Sequence, residues 1–263
     1  HNLVDPVLFS PRVNVRFNPS EAVNLRVSYA GGYRAPQAFD EDMHIVIVGG
    51  KRVRIRLADD LREERSHSVS LSADLYHTFG KVQTNLLVEG FYTILDDVFA
   101  LRDMDDAADG SKVKERYNGS GATVRGFNVE GRAAFTRWFE LQAGVTLQQS
   151  RYKEPEFWSE DAEVPPVRRM FRTPDAYGYF TASFKPVRNF TADLSGTCTG
   201  SMLVQHMAGS GVAQDVAVST PSFFDMNIRL SYDVRIYKEI TMQLYGGVQN
   251  LFNAYQKDFD KGV

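Results

Sequence analysis

The sequence predicts an all-β fold, an antiparallel up-and-down meander of about ten strands that forms part of the wall of a transmembrane β-barrel. Three observations support this prediction. Apolar and polar residues alternate over many segments, short turns alternate with long polar segments, and aromatic residues gather near the strand ends. Transmembrane barrels combine these features, because their strands have two different faces and their connections are short at one end and long at the other.

The clearest alternation runs through residues 224–234. Its apolar positions are Phe224, Met226, Ile228, Leu230, Tyr232 and Val234, with a polar residue between each of them and the next. A helix would scatter both sets over its surface, so this segment is predicted to be a strand. In chain order, the predicted strands are 12–17, 23–30, 68–76, 82–94, 127–135, 139–147, 176–184, 190–204, 224–234 and 240–248.

Two kinds of connection alternate between these strands. The tight turns are 18–22, 77–81, 136–138, 185–189 and 235–239, and the long polar loops are 31–65, 95–121, 151–174 and 205–222. In an antiparallel meander, this order places every turn at one end of the sheet and every loop at the other. Aromatic residues flank both ends, as in the girdles of a barrel at the membrane surfaces. At the loop end they are Tyr29, Tyr33, Tyr92, Tyr177, Phe223 and Phe224.

Alternation alone leaves open which face points inward. The polar positions are rich in Ser, Thr, Asn and Gln with scattered charges of both signs, which favours a wet interior. About ten strands with loops of roughly twenty to thirty residues also exceed the size of a soluble ligand-binding barrel. The charged residues expected on the interior wall are Arg16, Arg26, Asp74, Glu89, Glu130, Arg132, Glu140, Asp193 and Arg229.

Composition excludes several other classes of protein. A formal net charge of -3 gives no basic face, so no nucleic-acid partner is expected. No stretch approaches the roughly 20 apolar residues of a membrane helix. Cys198 is the only cysteine, which excludes an internal disulfide, and it is expected to be a small hydrophobe facing lipid. The sequence contains no H-E-x-x-H, G-x-S-x-G or Walker motif and no cluster of Cys and His, so neither catalysis nor a cofactor is expected.

Four short motifs occur in order along the chain. The segment Gly31-Gly32-Tyr33-Arg34-Ala35-Pro36-Gln37 closes the second predicted strand, where the glycine pair is expected to end pairing and Pro36 to block further ladder bonds. Residues 59–66 open the next strand, residues 118–126 open another, and Asn250-Leu251-Phe252-Asn253 follows the last predicted strand.

These motifs carry a resemblance to the TonB-dependent receptors. Residues 32–36 resemble the "FRAP"-type box of that family, and residues 38–45 resemble its continuation in the Bacteroidetes branch. Residues 59–66 resemble the box that opens the following strand, although its Asn-Pro-Asn is replaced here, and residues 118–126 resemble a strand start after an outside loop. Asn250-Leu251-Phe252 resembles the end of the penultimate strand. Four boxes in the family's order make the match specific.

The resemblance implies a 22-stranded barrel in the outer membrane of a Gram-negative bacterium. Residues 1–263 are expected to form one partial barrel domain of it, without the last strand and without the plug domain. The implied activity is import of a scarce nutrient such as a ferric siderophore, haem or cobalamin. The implied partners are that ligand, outer-membrane lipid, and the TonB complex, which acts through the plug domain.

Loop 31–65 contains the candidate ligand-binding residues, because binding residues concentrate on loops. They are Arg34, Asp40, Asp42, His44, Arg52 and Arg54. The resemblance implies that His44 could hold a haem iron; the alternative is that residues 40–44 are a structural feature of the branch. Arg34 is expected to bind carboxylates of the wall more than the ligand. Residues 51–56 could be a cationic strand that attracts an anionic chelate, or a solvated hairpin that faces lipopolysaccharide.

Two other functions stay open. One is import of a glycan or a peptide by the same fold, together with a surface lipoprotein. The other is a soluble carbohydrate-binding β-sandwich, which would not depend on detergent.

Overall fold

The computed structural model describes residues 8–36, 53–105, 112–159, 161, 163–209 and 211–256, which contain strands and turns but no helix. The strands are β1 (Arg12–Ser20), β2 (Val23–Arg34), β3 (Val53–Leu57), β4 (Glu64–Phe79), β5 (Val82–Asp96), β6 (Phe99–Met104), β7 (Lys112–Asn118), β8 (Ala122–Thr136), β9 (Phe139–Glu156), β10 (Val167–Arg169), β11 (Ala176–Phe184), β12 (Phe190–Thr199), β13 (Leu203–His206), β14 (Val216–Ser219), β15 (Phe223–Tyr237) and β16 (Ile240–Val248). Within this described part, no helix is long and apolar enough to span a membrane.

Ten strands form one antiparallel sheet in the order β1-β2-β4-β5-β8-β9-β11-β12-β15-β16, with β10 paired to β9 outside this path. Strands that follow each other along this path are neighbours in space, so the sheet is a meander. The prediction of an all-β meander of about ten strands is confirmed. Among the described strands, β1 and β16 are the two edges of this sheet.

The sheet has one polar face and one apolar face, and both are continuous from β1 to β16. Cross-strand partners share a face, and the register keeps polar residues opposite polar residues over most of the sheet. The polar face carries all nine charged residues predicted for the interior wall. The apolar face carries Val15, Val27, Leu71, Val88, Val129, Val145, Leu194, Ile228 and Leu244, and also Cys198, which is exposed there.

Hydrogen bonds between side chains link strands across the polar face, both direct neighbours and strands on either side of a third. The Tyr179 hydroxyl donates to Glu130 Oε2 at 2.5 Å, and Gln142 Nε2 donates to Glu130 Oε1 at 2.8 Å. The apolar face is different, because its side chains remain open: Leu71, in the middle of β4, is 61% exposed. A large apolar surface of this kind marks a face made for an apolar environment.

All five predicted tight turns are present. Each joins two strands that are neighbours in the ten-stranded sheet. Gly80 in the turn between β4 and β5 has a φ of 62°, which glycine adopts without a steric penalty. The turns lie at one end of the sheet, called the turn end below, and the long connections lie at the opposite loop end.

Aromatic residues mark the turn end of the apolar face on most strands. They are Phe17, Phe79, Phe135, Phe139, Phe184, Phe190 and Tyr232. At the loop end, Tyr29, Tyr92 and Phe224 also lie on the apolar face. The assignment of Tyr177 and Phe223 to this outer girdle was wrong. Both pair with Thr199 and therefore lie on the polar face. Their position near a strand end was known from the sequence, but it does not determine which face a side chain occupies.

The glycine pair after the second predicted strand does not end pairing. Strand β2 continues to Arg34, so that prediction was wrong. Gly31 instead permits a close approach, because its N–H donates to Pro11 O at 2.8 Å and a Cβ on it would stand 2.9 Å from Pro11 Cδ.

The eighth predicted strand is also shorter than expected. Strand β12 ends at Thr199, not at Val204, and Leu203–His206 pairs with β14 in a separate two-stranded sheet. Gly200 N donates to Ala176 O at 2.7 Å at the point where the chain leaves the main sheet. Apolar residues continue at every second position beyond Thr199, so the alternation alone could not show where β12 ends.

Candidate functional site at the loop end of the sheet

A small three-stranded sheet, β3-β7-β6, lies at the loop end and is called the loop-end sheet below. Strand β3 pairs in parallel with β7, and β6 pairs with β7 in the antiparallel sense. Residues 53–57 therefore form the strand that was one of two interpretations of the basic segment 51–56. The parallel pairing brings two long loops together, since β3 belongs to the loop after β2 and β7 to the loop after β5.

The loop-end sheet is strongly cationic. Its strands contain six basic residues, Arg54, Arg56, Arg102, Lys112, Lys114 and Arg116, and two acidic residues, Asp103 and Glu115. The chain as a whole is slightly acidic. This concentration of positive charge is therefore a local property of the loop end, and it creates a field that attracts anions.

Glu115 is the anionic centre of this sheet. It is only 5% exposed and accepts a 2.8 Å hydrogen bond from Arg102 Nε on its Oε2. Arg56 Nε lies 3.8 Å from the other carboxylate oxygen. The bond to Glu115 raises the pKa of Arg102, whereas burial raises the pKa of Tyr117, whose ring lies 4.9 Å from the Arg102 guanidinium. Glu115 thus fixes two arginines that remain more than half exposed.

Arg116 is buried although it is charged. It is 1% exposed, and its guanidinium carbon lies 5.9 Å from the centre of the Phe99 ring. Its carbonyl accepts a 2.9 Å hydrogen bond from Ala58 N, just after β3. Arg34 lies 5.6 Å from the same ring, so Phe99 contacts two cations through its π system.

Arg34 links the loop-end sheet to the wall of the large sheet. Arg34 and Glu64 are the last register pair of β2 and β4, and Arg34 Nη1 lies 3.6 Å from Glu64 Oε2. The other Glu64 oxygen accepts a 2.6 Å hydrogen bond from Phe99 N. This geometry agrees with the interpretation that Arg34 binds a wall carboxylate, and it joins the first motif directly to the second.

Asn118 joins the second motif to the third. Its Oδ1 accepts a 2.8 Å hydrogen bond from Arg62 N, and its Nδ2 donates to Arg62 O at 3.0 Å and to Asp97 O at 2.7 Å. Arg62 Nη2 also contacts Asp97 Oδ1 at 3.1 Å. Sequence analysis treated residues 118–126 as a strand start and missed this bridging side chain.

Glu63 is a second buried carboxylate at the loop end. It is 4% exposed and accepts hydrogen bonds from Arg65 Nη2 at 2.6 Å and Arg65 Nε at 3.0 Å. The bond from Arg65 lowers the pKa of Glu63, so this carboxylate stays charged although it is buried.

The fourth motif ends the last strand of the sheet. Asn250 has a φ of 50°, its N–H donates to Asn227 Oδ1 at 2.9 Å, and its Oδ1 accepts a 2.7 Å hydrogen bond from Ala254 N. Leu251 N donates to Met226 O at 2.8 Å, and the Phe252 ring packs 6.2 Å from Phe224. This motif is a structural cap after β16.

The structure places only some of the predicted site residues. Arg34 and Arg54 lie at the loop end, in β2 and β3, whereas Asp40, Asp42, His44 and Arg52 lie outside the described residues. Arg102, Glu115 and Arg116 were missed as site residues, and Arg56 was considered only as part of the basic segment 51–56. Among the described residues, no group of three or more His, Cys, Asp or Glu side chains is arranged to hold a metal ion.

An open antiparallel wall with one apolar face, tight turns at one end and structured loops at the other is the architecture of transmembrane β-barrel proteins. A sequence model of the family described as "TonB dependent receptor-like, beta-barrel" matches residues 5–251. The chain therefore belongs to this family. A search of curated proteins gives no significant match.

Several solved structures share the fold. The siderophore receptor PirA from Pseudomonas aeruginosa has a TM-score of 0.64 at 14% identity over 94% of this chain and 39% of its own. The FrpB iron transporter from Neisseria meningitidis, F5-1 variant, has a TM-score of 0.62 at 17% identity, over 93% and 35%. The ferric-catecholate import receptor Fiu from E. coli K12 has 0.60 at 15%, over 93% and 31%. The chain thus spans about a third of the length of these proteins.

Proposed function

We propose that this chain forms the wall and outer loops of an outer-membrane transporter for TonB-dependent uptake of an anionic iron chelate such as a ferric siderophore. The observation that carries the proposal is the cationic loop-end sheet on a barrel wall of this family. In such barrels the long loops lie on the extracellular side, so this sheet is the part that meets the ligand first.

The charge of the loop-end sheet favours an anionic ligand. Arg56 and Arg102 are held by Glu115 yet have more than half of their side chains exposed, which leaves donors available to a ligand. Arginine presents several N–H donors in a fixed plane and binds oxygen anions well. Catecholate chelates carry negative oxygens and haem carries propionates, so both fit a cationic site. Cobalamin, for which this charge gives no specific support, stays a further prediction.

The names of similar structures point to the same class of ligand. Fiu is described as a ferric-catecholate import receptor, PirA as a siderophore receptor and FrpB as an iron transporter. The low identities support a common fold, and the ligand comes to this chain only as part of the proposal. Residues 1–263 would act as one partial barrel domain that binds ligand without a cofactor of its own. The TonB complex would act through a plug domain.

Haem ligation by His44 is a narrower form of the proposal. Growth of a deletion strain on haem as the only iron source tests it separately. Normal growth on haem with a His44→Ala receptor would contradict this role without affecting the siderophore proposal.

Charge neutralisation in β3 tests the main proposal. In the full-length protein, Arg54→Gln with Arg56→Gln is expected to weaken binding of a ferric catecholate about ten-fold at low salt, because exposed charges contribute up to roughly 1 kcal/mol each. Arg54→Lys with Arg56→Lys, which keeps both charges but removes the planar donors, serves as the control and is expected to weaken binding less than the Gln pair does. The Kd is measured by ligand quenching of intrinsic fluorescence.

Iron-limited growth of a deletion strain complemented with each variant gives a second readout. If both variants bind the ferric catecholate and support growth as the parent does, the loop-end sheet is not the binding site. If the deletion strain loses growth on a glycan or peptide instead, the alternative importer function holds.

A further inference from the structure

The apolar face of the large sheet contains a groove near the loop end, called the Gly90 groove below. It crosses β4, β5, β8 and β9, and its lining includes Leu71, Gly90, Phe127 and Leu147. These four residues form one register row, because each of them pairs with the next across neighbouring strands. The three apolar side chains of the row are each more than half exposed, so the groove is open to the surroundings of the apolar face.

The missing side chain of Gly90 creates the space in this groove. A Cβ built on Gly90 would lie 3.5 Å from Phe127 Cε1, which is ordinary van der Waals contact. The Phe127 ring therefore borders the space above Gly90, and a larger side chain at position 90 would fill it. Exposed backbone between apolar side chains suits a hydrocarbon chain, which gains free energy when it covers apolar surface.

The next register row toward the loop end adds a positive charge to the groove. Val69, Tyr92, Arg125 and Gln149 pair in this order across the same four strands, and all four line the groove. Arg125 is exposed, and its Nη2 donates to Gln149 Oε1 at 2.8 Å. Within the described part of the chain Arg125 forms no ion pair. Its other N–H donors are therefore available to a ligand.

Arg125 also lies at the level of the outer aromatic girdle. Tyr29 pairs with Val69, so Tyr29 and Tyr92 belong to the same register row as Arg125. Tyrosine concentrates where acyl chains meet headgroups. In a membrane, an arginine at this level has hydrocarbon on one side and phosphate on the other, and guanidinium can bind phosphate through two parallel hydrogen bonds.

The carboxylates at this end of the groove have basic partners of their own. Asp175, which lines the groove, has its Oδ2 3.0 Å from Arg169 Nη2. Asp96, at the end of β5, accepts a 2.5 Å hydrogen bond from Lys153 Nζ. The charge of Arg125 is therefore left for an anionic partner.

We propose that the Gly90 groove binds one acyl chain of a phosphorylated glycolipid of the lipid A type, whose phosphate contacts Arg125. This inference rests on the proposed outer-membrane location, in which the loop end lies at the extracellular leaflet. The order of polarity along the strands matches a lipid in that leaflet, with hydrocarbon against Leu71 and Phe127 and the anionic group at the row of Arg125. Tyr92 and Gln149 in that row can form hydrogen bonds with sugar hydroxyls.

Lipid binding by the full-length protein tests the proposal. The protein is freed of lipid in detergent and titrated with diphosphoryl lipid A, with the same lipid after removal of its phosphates, and with phosphatidylglycerol. Native mass spectrometry counts the bound lipid. Diphosphoryl lipid A is expected to bind at least about five-fold more tightly than the dephosphorylated form, the contribution of one cation near lipid phosphate, with a smaller difference at high salt. It is also expected to bind more tightly than phosphatidylglycerol.

Two substitutions separate the phosphate contact from the acyl-chain contact. Arg125→Gln is expected to abolish the difference between the two forms of lipid A, and Arg125→Lys to keep part of it, because lysine retains the charge without the planar donors. Gly90→Leu fills the groove and is expected to weaken binding of both forms by at least about four-fold, which corresponds to one buried CH₂ group.

Each substitution has a matched control. Arg26→Gln removes an exposed cation from the polar face. Gly131→Leu adds the same side chain to the apolar face of β8 at a position with nothing within 4 Å of its Cβ, outside the groove lining. Both controls are expected to leave the Kd of diphosphoryl lipid A unchanged. Heat-dependent mobility in gels shows that each variant is folded.

Three results would overturn the proposal. Equal binding of both forms of lipid A by the parent excludes recognition of the phosphate. Parent-like binding by Arg125→Gln and Gly90→Leu excludes the groove as the site. Binding of phosphatidylglycerol as tight as that of lipid A excludes a glycolipid as the specific occupant.

Binding of the ferric catecholate by the same samples separates this inference from the proposed function. If the parent binds the ferric catecholate but no lipid A, only the lipid site is rejected. If it binds lipid A at the groove but no iron chelate, only the proposed transport ligand is rejected.

Discussion

Glu63 and Glu115 are carboxylates that are almost completely buried at the loop end and are bonded to arginines that remain half exposed. Removing the partner of a buried charge is costly, about 3–5 kcal/mol in fully buried ion pairs and less where, as here, the arginine is half exposed. Each arginine is therefore held in place by a carboxylate beneath it. A cationic surface built in this way keeps its donors at fixed positions, which favours a rigid anionic ligand.

Replacing Glu63 by Gln is expected to lower the thermal unfolding midpoint of the full-length protein near neutral pH and to have a smaller effect at about pH 3. The hydrogen bond from Arg65 lowers the folded-state pKa of this carboxyl below its usual value of 4.5. Its stabilisation is thus fully present above the pKa of the unfolded state and is lost as the pH falls through the folded pKa. Calorimetry in steps between these two pH values measures the difference in midpoint.

Glu154→Gln is the control for Glu63, because the Glu154 side chain is 71% exposed. Its effect on the midpoint is expected to be small at every pH. A difference between the parent and Glu63→Gln that stays constant down to acid pH would show that the carboxylate charge is not what stabilises this site.

Among the secondary-structure elements, two strands of the large sheet pack closely where an aromatic ring covers a glycine of the next strand. The Phe180 ring of β11 lies over Gly196 of β12, and a Cβ at Gly196 would be 2.4 Å from Phe180 Cε1. The ring fills the space that a side chain would occupy, which keeps two neighbouring strands in register.

Gly196→Ala is therefore expected to destabilise the full-length protein by about 1–3 kcal/mol, the usual cost of overpacking. Gly131→Ala, in β8 of the same sheet, is the matched control, because nothing lies within 4 Å of a Cβ built there. The free energy of unfolding from urea titration in vesicles measures both effects. If Phe180→Leu restores much of the loss in Gly196→Ala, the ring is confirmed as the cause; equal effects at the two glycines would contradict it.

The strands of the large sheet could be predicted because each one carries its own signal. Alternation, tight turns and aromatic ends are local patterns, and all ten strands of the meander follow from them. Strand ends were less certain. Strand β2 continues to Arg34, and both Glu64, which pairs with Arg34, and Pro11, which packs against Gly31, lie in other segments.

The loop-end sheet could not be predicted in the same way. Val53 pairs in parallel with Lys112, so two short strands from separate loops meet, and neither segment shows where its partner lies. Burial of Arg116 has the same origin, since Phe99, whose ring lies near its guanidinium, and Ala58, which donates to its carbonyl, come from other segments. A single arginine in a polar loop is normally read as exposed. Arg34 and Arg54 were found because they lie in or beside recognisable motifs.

On the scale of the whole molecule, two divisions of charge and polarity coincide with the geometry of a membrane wall. The polar and apolar faces separate the two sides of the sheet from β1 to β16. Along the strands, the loop end has basic residues paired with buried carboxylates, and the turn end has basic residues without such partners among the described residues. The first arrangement suits a fixed site for a soluble anion.

A single substitution on each face tests whether the apolar face contacts lipid. Leu71 lies in the middle of β4, is 61% exposed and faces the apolar side, whereas the adjacent Ser70 pairs with Ser28 on the polar face. In water, Arg at an exposed position such as Leu71 would change stability by about 0.5 kcal/mol or less. At the centre of a bilayer, Arg on the lipid face of a barrel costs about 2–4 kcal/mol. Leu71→Arg is therefore expected to reduce the unfolding free energy in vesicles by this larger amount, and Ser70→Arg by much less. Urea titration of the reconstituted full-length protein measures both. Similar small effects of the two substitutions would mean that Leu71 faces water. The alternation of apolar and polar residues would then be explained better by a soluble β-sandwich.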